Sequence, residues 1–453
     1  MGRRTHARVL DVWANGKRVG QWRIPARGPE EFQYDPAWCV SAEARPLSLS
    51  LPMNLDQLPL KGETVGFYFD NLLPDSESIR RRLQSRFRTQ SRDAFDLLAA
   101  IGRDCVGAVQ LLPEDEVPEG VFCIQAEQLE EADIERLLAE VVTPPARQAE
   151  AEDEDFRISL AGAQEKTALT WHKGRWCRPR GATPTTHIFK LPMGRIGRVQ
   201  ADMSNSVENE WLCATLLHAY GLPIARCEIQ RFGARKALVV ERFDRRLEPS
   251  GQYWLRLPQE DFCQATGTPG TSKYESDGGP GLLEIARILH NSEVRDADLT
   301  TLLRAQLLFW LLGAIDGHAK NFSLALLAGG RYRLTPLYDV LSAWPISGHG
   351  PNLLERNKLK LAMALRGKNA HYHINEIQRS HFNATAKRCG FGLDMDAIIE
   401  EVLSSTPVVL DRVAGELPEG FPLVVFEAVR QGVLESAKKL VGNRSSIPTQ
   451  SYP

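Results

Sequence analysis

Asp316-Gly-His-Ala-Lys-Asn321, followed by two short apolar runs and then Tyr338-Asp339, is the stretch on which the reading of this chain turns. Phosphoryl transfer asks little covalent chemistry of a protein, but it needs a carboxylate aimed at the attacking hydroxyl and oxygen ligands for Mg2+. An aspartate, an asparagine five residues on and a second aspartate further downstream are one established way of supplying them. The runs Phe322 to Leu327 and Arg331 to Thr335 are of β type and are joined by Ala328-Gly-Gly330, which predicts a hairpin. A hairpin of that size returns the chain, so that Asp339 faces Asn321 across one metal ion. The spacing alone recurs by chance; the hairpin and the second aspartate make it a motif hypothesis.

Working outward, His187-Ile-Phe-Lys190-Leu-Pro192 sets a lysine in an apolar, strand-like run. A buried ammonium needs a partner to avoid a large desolvation penalty. A triphosphate is one such partner, and an edge strand that lets the lysine reach water is the other reading. Ser159-Leu-Ala-Gly-Ala-Gln-Glu-Lys166-Thr167 is rich in small residues. It suits either a loop whose amides approach phosphate or an ordinary strand turn. It matches neither the Walker nor the kinase glycine pattern. Val239 to Asp244 ends a buried-looking strand and either offers main-chain groups to an adenine edge or is a plain strand exit. Tyr274-Glu-Ser-Asp-Gly-Gly-Pro-Gly281 precedes a helix and is read as a phosphate site or as a loop shaped over the cleft. His371, His373 and His381 lack the carboxylates of a metal set.

The amino-terminal part alternates apolar and polar residues around Asn15-Gly16, a type I′ hairpin signal. Helices are expected over Phe67 to Leu73 and over Ile79 to Arg92, where the arginines form a solvated face or a docking surface. Pro144-Pro145 and the acidic run to Asp155 read as a linker. Short β-rich segments follow, with one helix from about Val207 to Tyr220. From Gln259 on a helical period dominates: Leu299 to Ile315, Arg379 to Arg388, Met395 to Leu403 and Phe421 to Leu440. The expected architecture is α+β, two-lobed and protein-kinase-like. Its expected units are residues 1–145 as a β-rich amino-terminal subdomain, 156–250 as a β-rich nucleotide-binding lobe and 251–445 as a helical catalytic lobe.

Composition bounds the partners. Lys plus Arg number 55 against 57 Asp plus Glu, so no global basic field attracts nucleic acid or an anionic membrane. The eight cysteines include no C-x-x-C pair, which argues against a zinc ribbon or a dense disulfide framework. The amino terminus lacks the apolar core of a signal peptide, and no apolar run reaches the roughly 20 residues of a spanning helix. A soluble, cytoplasmic protein is expected.

Seven separated segments, taken together, resemble the HipA family of bacterial serine/threonine kinase toxins. They are Phe69 to Asp75, Ile101 to Ala108, Ser159 to Lys166, Val240 to Arg246, Leu257 to Asp261, Lys273 to Pro280 and Asp316 to Asn321. The resemblance implies ATP and Mg2+ as cofactors, with Asp316 acting on the substrate hydroxyl and Asn321 and Asp339 holding the metal. It implies Lys190 on phosphate, and Ala161, Gly162, Ala163, Gln164, Glu165 and Lys166 as the phosphate loop. Glu241, Arg242 and Phe243 would form the adenine hinge; His318, Ala319, Lys320 and Asn321, with Tyr338, would complete the pocket. It further implies autophosphorylation at Ser159, which expels the loop and silences the enzyme.

The family partner is a HipB-like helix-turn-helix antitoxin that carries the complex to operator DNA, with direct DNA contact falling near Lys387 and Arg388. In its best-known members the target is glutamyl-tRNA synthetase. A small-molecule phosphotransferase of the same fold and a catalytically decayed corepressor module remain the competing readings.

Overall fold

The computed structural model describes residues 7–54, 56–142, 159–162, 164–392 and 395–442. The proline pair and acidic run expected as a linker lie outside the described residues, as does Ala163.

Strands β1 (Arg8–Ala14), β2 (Lys17–Ile24), β3 (Glu31–Tyr34), β4 (Leu60–Lys61) and β5 (Val109–Pro113) form an antiparallel sheet in the order β4-β3-β2-β1-β5. The β1–β2 turn uses Asn15 at φ 47° and Gly16 at φ 79°, the left-handed pair that the sequence predicted. Helices α1 (Pro36–Cys39), α2 (Glu63–Asp70), α3 (Glu77–Phe87) and α4 (Ala94–Ile101) complete this unit. Its core is anchored by the Trp22 indole stacked on Phe69 of α2, ring centroids 4.1 Å apart.

The second sheet, of six strands, holds β6 (Ala126–Gln128), β7 (Lys166–His172), β8 (Arg175–Pro179) and β9 (His187–Lys190), and later β12 (Cys227–Phe232) and β13 (Arg235–Glu241). Between them come helix α5 (Glu131–Val142), the small ribbon β10 (Arg195–Ile196) with β11 (Ala201–Asp202), and helix α6 (Ser206–Ala219). Strand β6 and helix α5 fall within the 1–145 expectation, yet they pack on this sheet, Leu138 of α5 sharing a core with Leu169 and Phe189. We propose a unit boundary between Pro113 and Ala126. Residues 159–162 form a loop, the first of the two readings of that stretch, and β7 begins only at Lys166.

After the ribbon β14 (Arg245–Leu247) with β15 (Trp254–Arg256), strand β16 (Gln259–Asp261) joins β17 (Ser323–Leu326) and β18 (Tyr332–Leu334). The last two strands are the hairpin foreseen around Ala328-Gly-Gly330. Helices α7 (Phe262–Thr266), α8 (Leu282–Leu289) and α9 (Arg295–Leu312) lead to them; β19 (Lys360–Arg366), β20 (Ala370–His373), α10 (Arg379–Arg388), α11 (Asp396–Gly415) and α12 (Leu423–Gly442) follow. The β19–β20 pair was not foreseen within the helical part. Helix α9 is apolar on all sides over its last turns, Leu307 to Leu312, because there it is the central helix of this lobe, with α12, α8 and α6 against it. Among the described residues no helix is long and apolar enough to cross a membrane.

Where the amino-terminal unit meets the six-stranded sheet, Asp104 lies buried among guanidinium groups. Its Oδ1 accepts from Arg245 at 3.0 Å and Arg256 at 3.1 Å, and its Oδ2 from Thr185 Oγ1 at 2.6 Å and Arg242 at 3.4 Å. Burial by itself would raise the carboxyl pKa, but Arg245, Arg256 and Arg242 overcome it and hold the group well below the usual carboxylate range. Its contribution is therefore full above the unfolded carboxylate value of about 4 and fades as pH falls below it. Asp104→Asn leaves the arginines without their central counter-charge. The expected loss is about 3–5 kcal/mol of stability, read from urea unfolding at neutral pH.

Candidate active site

Strand β9 ends at Lys190, whose ammonium is buried beneath the sheet. Two acids from distant segments meet it: Asp339 Oδ1 at 2.5 Å and Glu210 Oε1, from α6, at 2.6 Å. Burial opposes charge on Lys190, yet Asp339 and Glu210 raise its pKa. Burial likewise opposes charge on Asp339, but Lys190 and Lys166 keep that carboxyl ionised. Glu210 is pushed up to about 7, chiefly by its own burial. One lysine thus serves two acids, and Asp339, nearer the opening, holds its charge. Asp339 sits at φ +60°, a left-handed conformation that aspartate tolerates better than most residues and that aims its carboxylate back at Lys190.

Helix α9 stops at Gly313, and the chain turns through Asp316 and Gly317 into a short 3-10 turn, Ala319–Asn321, before entering β17. Gly317 is obligatory here because a Cβ would stand 2.5 Å from the Phe309 ring. The Asn321 amide nitrogen lies 3.3 Å from the Asp339 carbonyl and 3.5 Å from its Oδ2, while Oδ1 accepts from the His318 N–H at 3.3 Å. Burial lowers the His318 pKa, so the imidazole is neutral, and its buried Nδ1 meets no partner among the described residues. The Asp316 carboxylate accepts the hydroxyl of Tyr274, whose ring stands edge-on to His318 with centroids 5.1 Å apart.

Lys166, Lys190, Asp316, His318, Asn321 and Asp339 line one cleft. Its inner wall is apolar, with Ile188, Ala225, Val240 and Leu341, and Phe243 and Tyr338 approach each other at 5.8 Å. A flat apolar ligand with an anionic tail fits that division. Across the opening runs the 159–162 loop. Ser159 is fully buried: its Oγ donates to Leu72 O at 2.7 Å and its N–H to Asp104 O at 3.1 Å. Gly162, at φ +105°, bridges to Pro74, and Gln164 Nε2 donates to Leu191 O at 2.6 Å. Lys166 lies directly across the ladder from Lys190 and donates to Ala161 O; burial, then Lys190, lowers its pKa to about 8.

Several expected residues are placed elsewhere. Glu165 turns outward to pair with Arg82 of α3, and Arg80 of the same helix pairs with Asp70, so the arginine helix is not a purely solvated face. Ala319 is buried in the carboxy-terminal core. The Arg242 side chain points into the Asp104 cluster, leaving its main chain at the cleft wall. Lys320 turns its ammonium to Asn71 Oδ1 at 2.7 Å and Asp261 Oδ2 at 3.3 Å. Lys387 and Arg388 close α10 on the exposed surface and do not line the cleft.

Glu210, Tyr274, Asn71, Asp75 and Asp261 were missed by the sequence reading. A buried acid on the first helix after the strand lysine was the available signal for Glu210; Asn71 and Asp75 take their partners from another unit, and Tyr274 and Asp261 take theirs from the 316–321 turn far along the chain.

The residues fit Mg2+ carried by nucleotide phosphates once the Asn321 amide turns its oxygen, which here accepts from the His318 N–H, toward Asp339. Asn321 and Asp339 bring one amide and one ionised carboxylate together, and the described residues contain no cluster of three or more His, Cys, Asp or Glu able to hold a metal alone. Mg2+ bound through one or two protein oxygens, with phosphate and water supplying the rest, suits such a pair.

Known proteins resemble this chain along most of its length. Residues 10–112 match the HipA N-terminal domain model and residues 158–410 the HipA-like C-terminal domain model. The putative kinase Y4mE of Sinorhizobium fredii is 34% identical over 90% of this chain and 92% of its own length. This chain belongs to the HipA family. A serine/threonine-protein kinase toxin HipA of Shewanella oneidensis is 28% identical, over 84% of this chain and 81% of that one. The HipA fold is equally evident in the solved Shewanella complex of HipA, HipB and operator DNA: TM-score 0.76 at 24% identity, over 96% of this chain and 97% of that one. The kinase-like, two-lobed α+β architecture expected from the sequence is therefore that of this HipA protein.

Because Lys166 titrates near pH 8, its charge is available to an anion below that pH and is lost above it. Calorimetric affinity for a nucleoside triphosphate should weaken several-fold between pH 7 and pH 9.5. Lys166→Gln should bind more weakly at pH 7 and show a flatter profile.

Proposed function

We propose that this chain is an ATP- and Mg2+-dependent serine/threonine-protein kinase that acts as the toxin of a type II toxin–antitoxin system. The observation that carries the reading is the meeting of Asp316, Asn321, Asp339 and the Lys190–Glu210 pair around one cleft, although they come from four separate segments. A lysine held by a helix glutamate, with a metal-binding aspartate beside it, is the electrostatic core of kinase phosphoryl transfer.

In this reading the apolar wall of Ile188, Ala225 and Val240 receives the adenine, whose edge meets main-chain groups of Glu241 and Phe243. Lys190 and Lys166 neutralise phosphate oxygens, and the ionised Asp339 with Asn321 holds Mg2+, which offsets charge developing on the transferred group. Asp316 accepts the proton of the attacking serine or threonine hydroxyl as the new O–P bond forms and the bond to the leaving ADP oxygen breaks. An incoming hydroxyl would have to share or displace the Tyr274 hydroxyl at that carboxylate.

Ser159 is the proposed self-modification site. Its hydroxyl is fully buried and donates to a main-chain carbonyl, so a phosphate dianion there would be set against that carbonyl and the loop must leave its seat. That supports silencing by loop expulsion. The near-neutral net charge supports delegating operator DNA to a HipB-like antitoxin, with Lys387 and Arg388 making at most a local contact. Glutamyl-tRNA synthetase, in the cytoplasm, is the proposed target, with growth arrest and persistence as the outcome.

Incubation with labelled ATP and Mg2+ should label Ser159 and a protein substrate. Asp316→Ala and Asp339→Ala should each lower transfer at least a thousandfold, checked by phosphopeptide mapping. Label found only on a small molecule, or equal labelling by Asp316→Ala, would overturn the assignment.

A further inference from the structure

The amino-terminal unit sends one carboxylate into the cleft. Asp75 ends the turn Asn71-Leu-Leu-Pro-Asp75 after α2 and lines the same cavity as Asp316 and Asn321. Its Oδ2 accepts from Lys273 Nζ at 2.9 Å, and its Oδ1 lies 3.6 Å from Lys320 Nζ. Its N–H donates to Gly162 O, in the loop that carries Ser159, at 3.1 Å. Each partner is one residue, or a few, from a group of the proposed chemistry. Lys273 precedes Tyr274, whose hydroxyl holds Asp316. The Lys273 carbonyl also accepts the Ala319 N–H at 3.4 Å, in the turn that presents Asn321. Lys320 itself precedes Asn321.

We propose that Asp75 is a positioning residue for phosphoryl transfer, and that through it the amino-terminal unit forms part of the active site. The proposal rests on the kinase reading given above. One lysine lies within the 316–321 turn and the other in the segment packed against it, and the two would repel each other and the metal without a shared anion. Asp261 reaches Lys320 at 3.3 Å, and among the described residues Asp75 is the carboxylate that pairs with both lysines. Burial would raise the Asp75 pKa; Lys320 and Lys273 more than reverse it, so the carboxylate is charged at neutral pH. The main-chain bond to Gly162 adds a second function: when the loop leaves, Asp75 loses its backbone restraint, and both lysines feel the change. Seating of the loop and order of the 316–321 turn are thereby coupled.

Asp75→Asn keeps the shape and removes the charge. In the full-length protein it should lower kcat at least tenfold while KM for ATP changes less than about threefold, and hydrogen exchange across residues 316–321 should quicken. Lys273→Gln should give the same pattern. The double variant should lose little more than either single one, because both remove the same link. A KM effect without a kcat effect, additive losses, or unchanged exchange at 316–321 would each overturn the proposal. Should Asp75→Asn fail to fold, Lys273→Gln decides it on the same readouts. If the wild-type protein transfers no phosphate, the kinase reading fails by itself, and the exchange comparison alone decides whether Asp75 orders the turn.

Discussion

A carboxylate with three arginines around it, buried where two sheets meet, is the constraint on which the remaining geometry depends. Asp104 comes from the amino-terminal unit, Arg242 and Arg245 from the exit of β13, and Arg256 from β15. Asp244 completes the set, bonded to Arg242 at 2.8 Å and to the Gly107 N–H at 2.7 Å. Buried ion pairs of this kind add little net stability over an apolar core, but they tolerate only one arrangement, since any slippage strands a charge. The cluster therefore sets the angle between the amino-terminal unit and the strand whose end forms one wall of the cleft.

The cleft repeats that logic at lower charge density. Lys190 cannot be buried unless Asp339 and Glu210 both reach it, and these acids belong to a loop and a helix from distant parts of the chain. Closure of the two lobes is in this sense an electrostatic requirement of one ammonium group. The same arrangement leaves Asp339 ionised with one oxygen toward Asn321, the state in which hard cations are bound.

Much of this was legible in the sequence, and the legible parts share a cause. The β17–β18 hairpin, the Asn15-Gly16 turn and helix α10 follow from local conformational preference and period, and were found at or near their observed bounds. The order Lys190, Asp316, Asn321, Asp339 was legible because the chemistry demands particular residue types. Glu210 was not, because a buried acid looks like any helical glutamate until its lysine is known. Asp75 and Tyr274 escaped for a similar reason: their partners lie far along the chain, and no period or turn rule couples them. Strand β6 was assigned by proximity to the wrong neighbour, since nothing local tells a short edge strand which sheet it joins.

Helix α9 carries a consequence for biogenesis. Its segment from Leu307 to Leu312 is sequestered on every side, and part of that cover is α12, which begins only at Leu423. A ribosome releasing this chain exposes an uncovered greasy rod until nearly the whole polypeptide has emerged. Such an intermediate invites capture by holdases or self-association. Translation that stalls before the carboxy-terminal helix would therefore yield an insoluble fragment instead of a truncated active lobe.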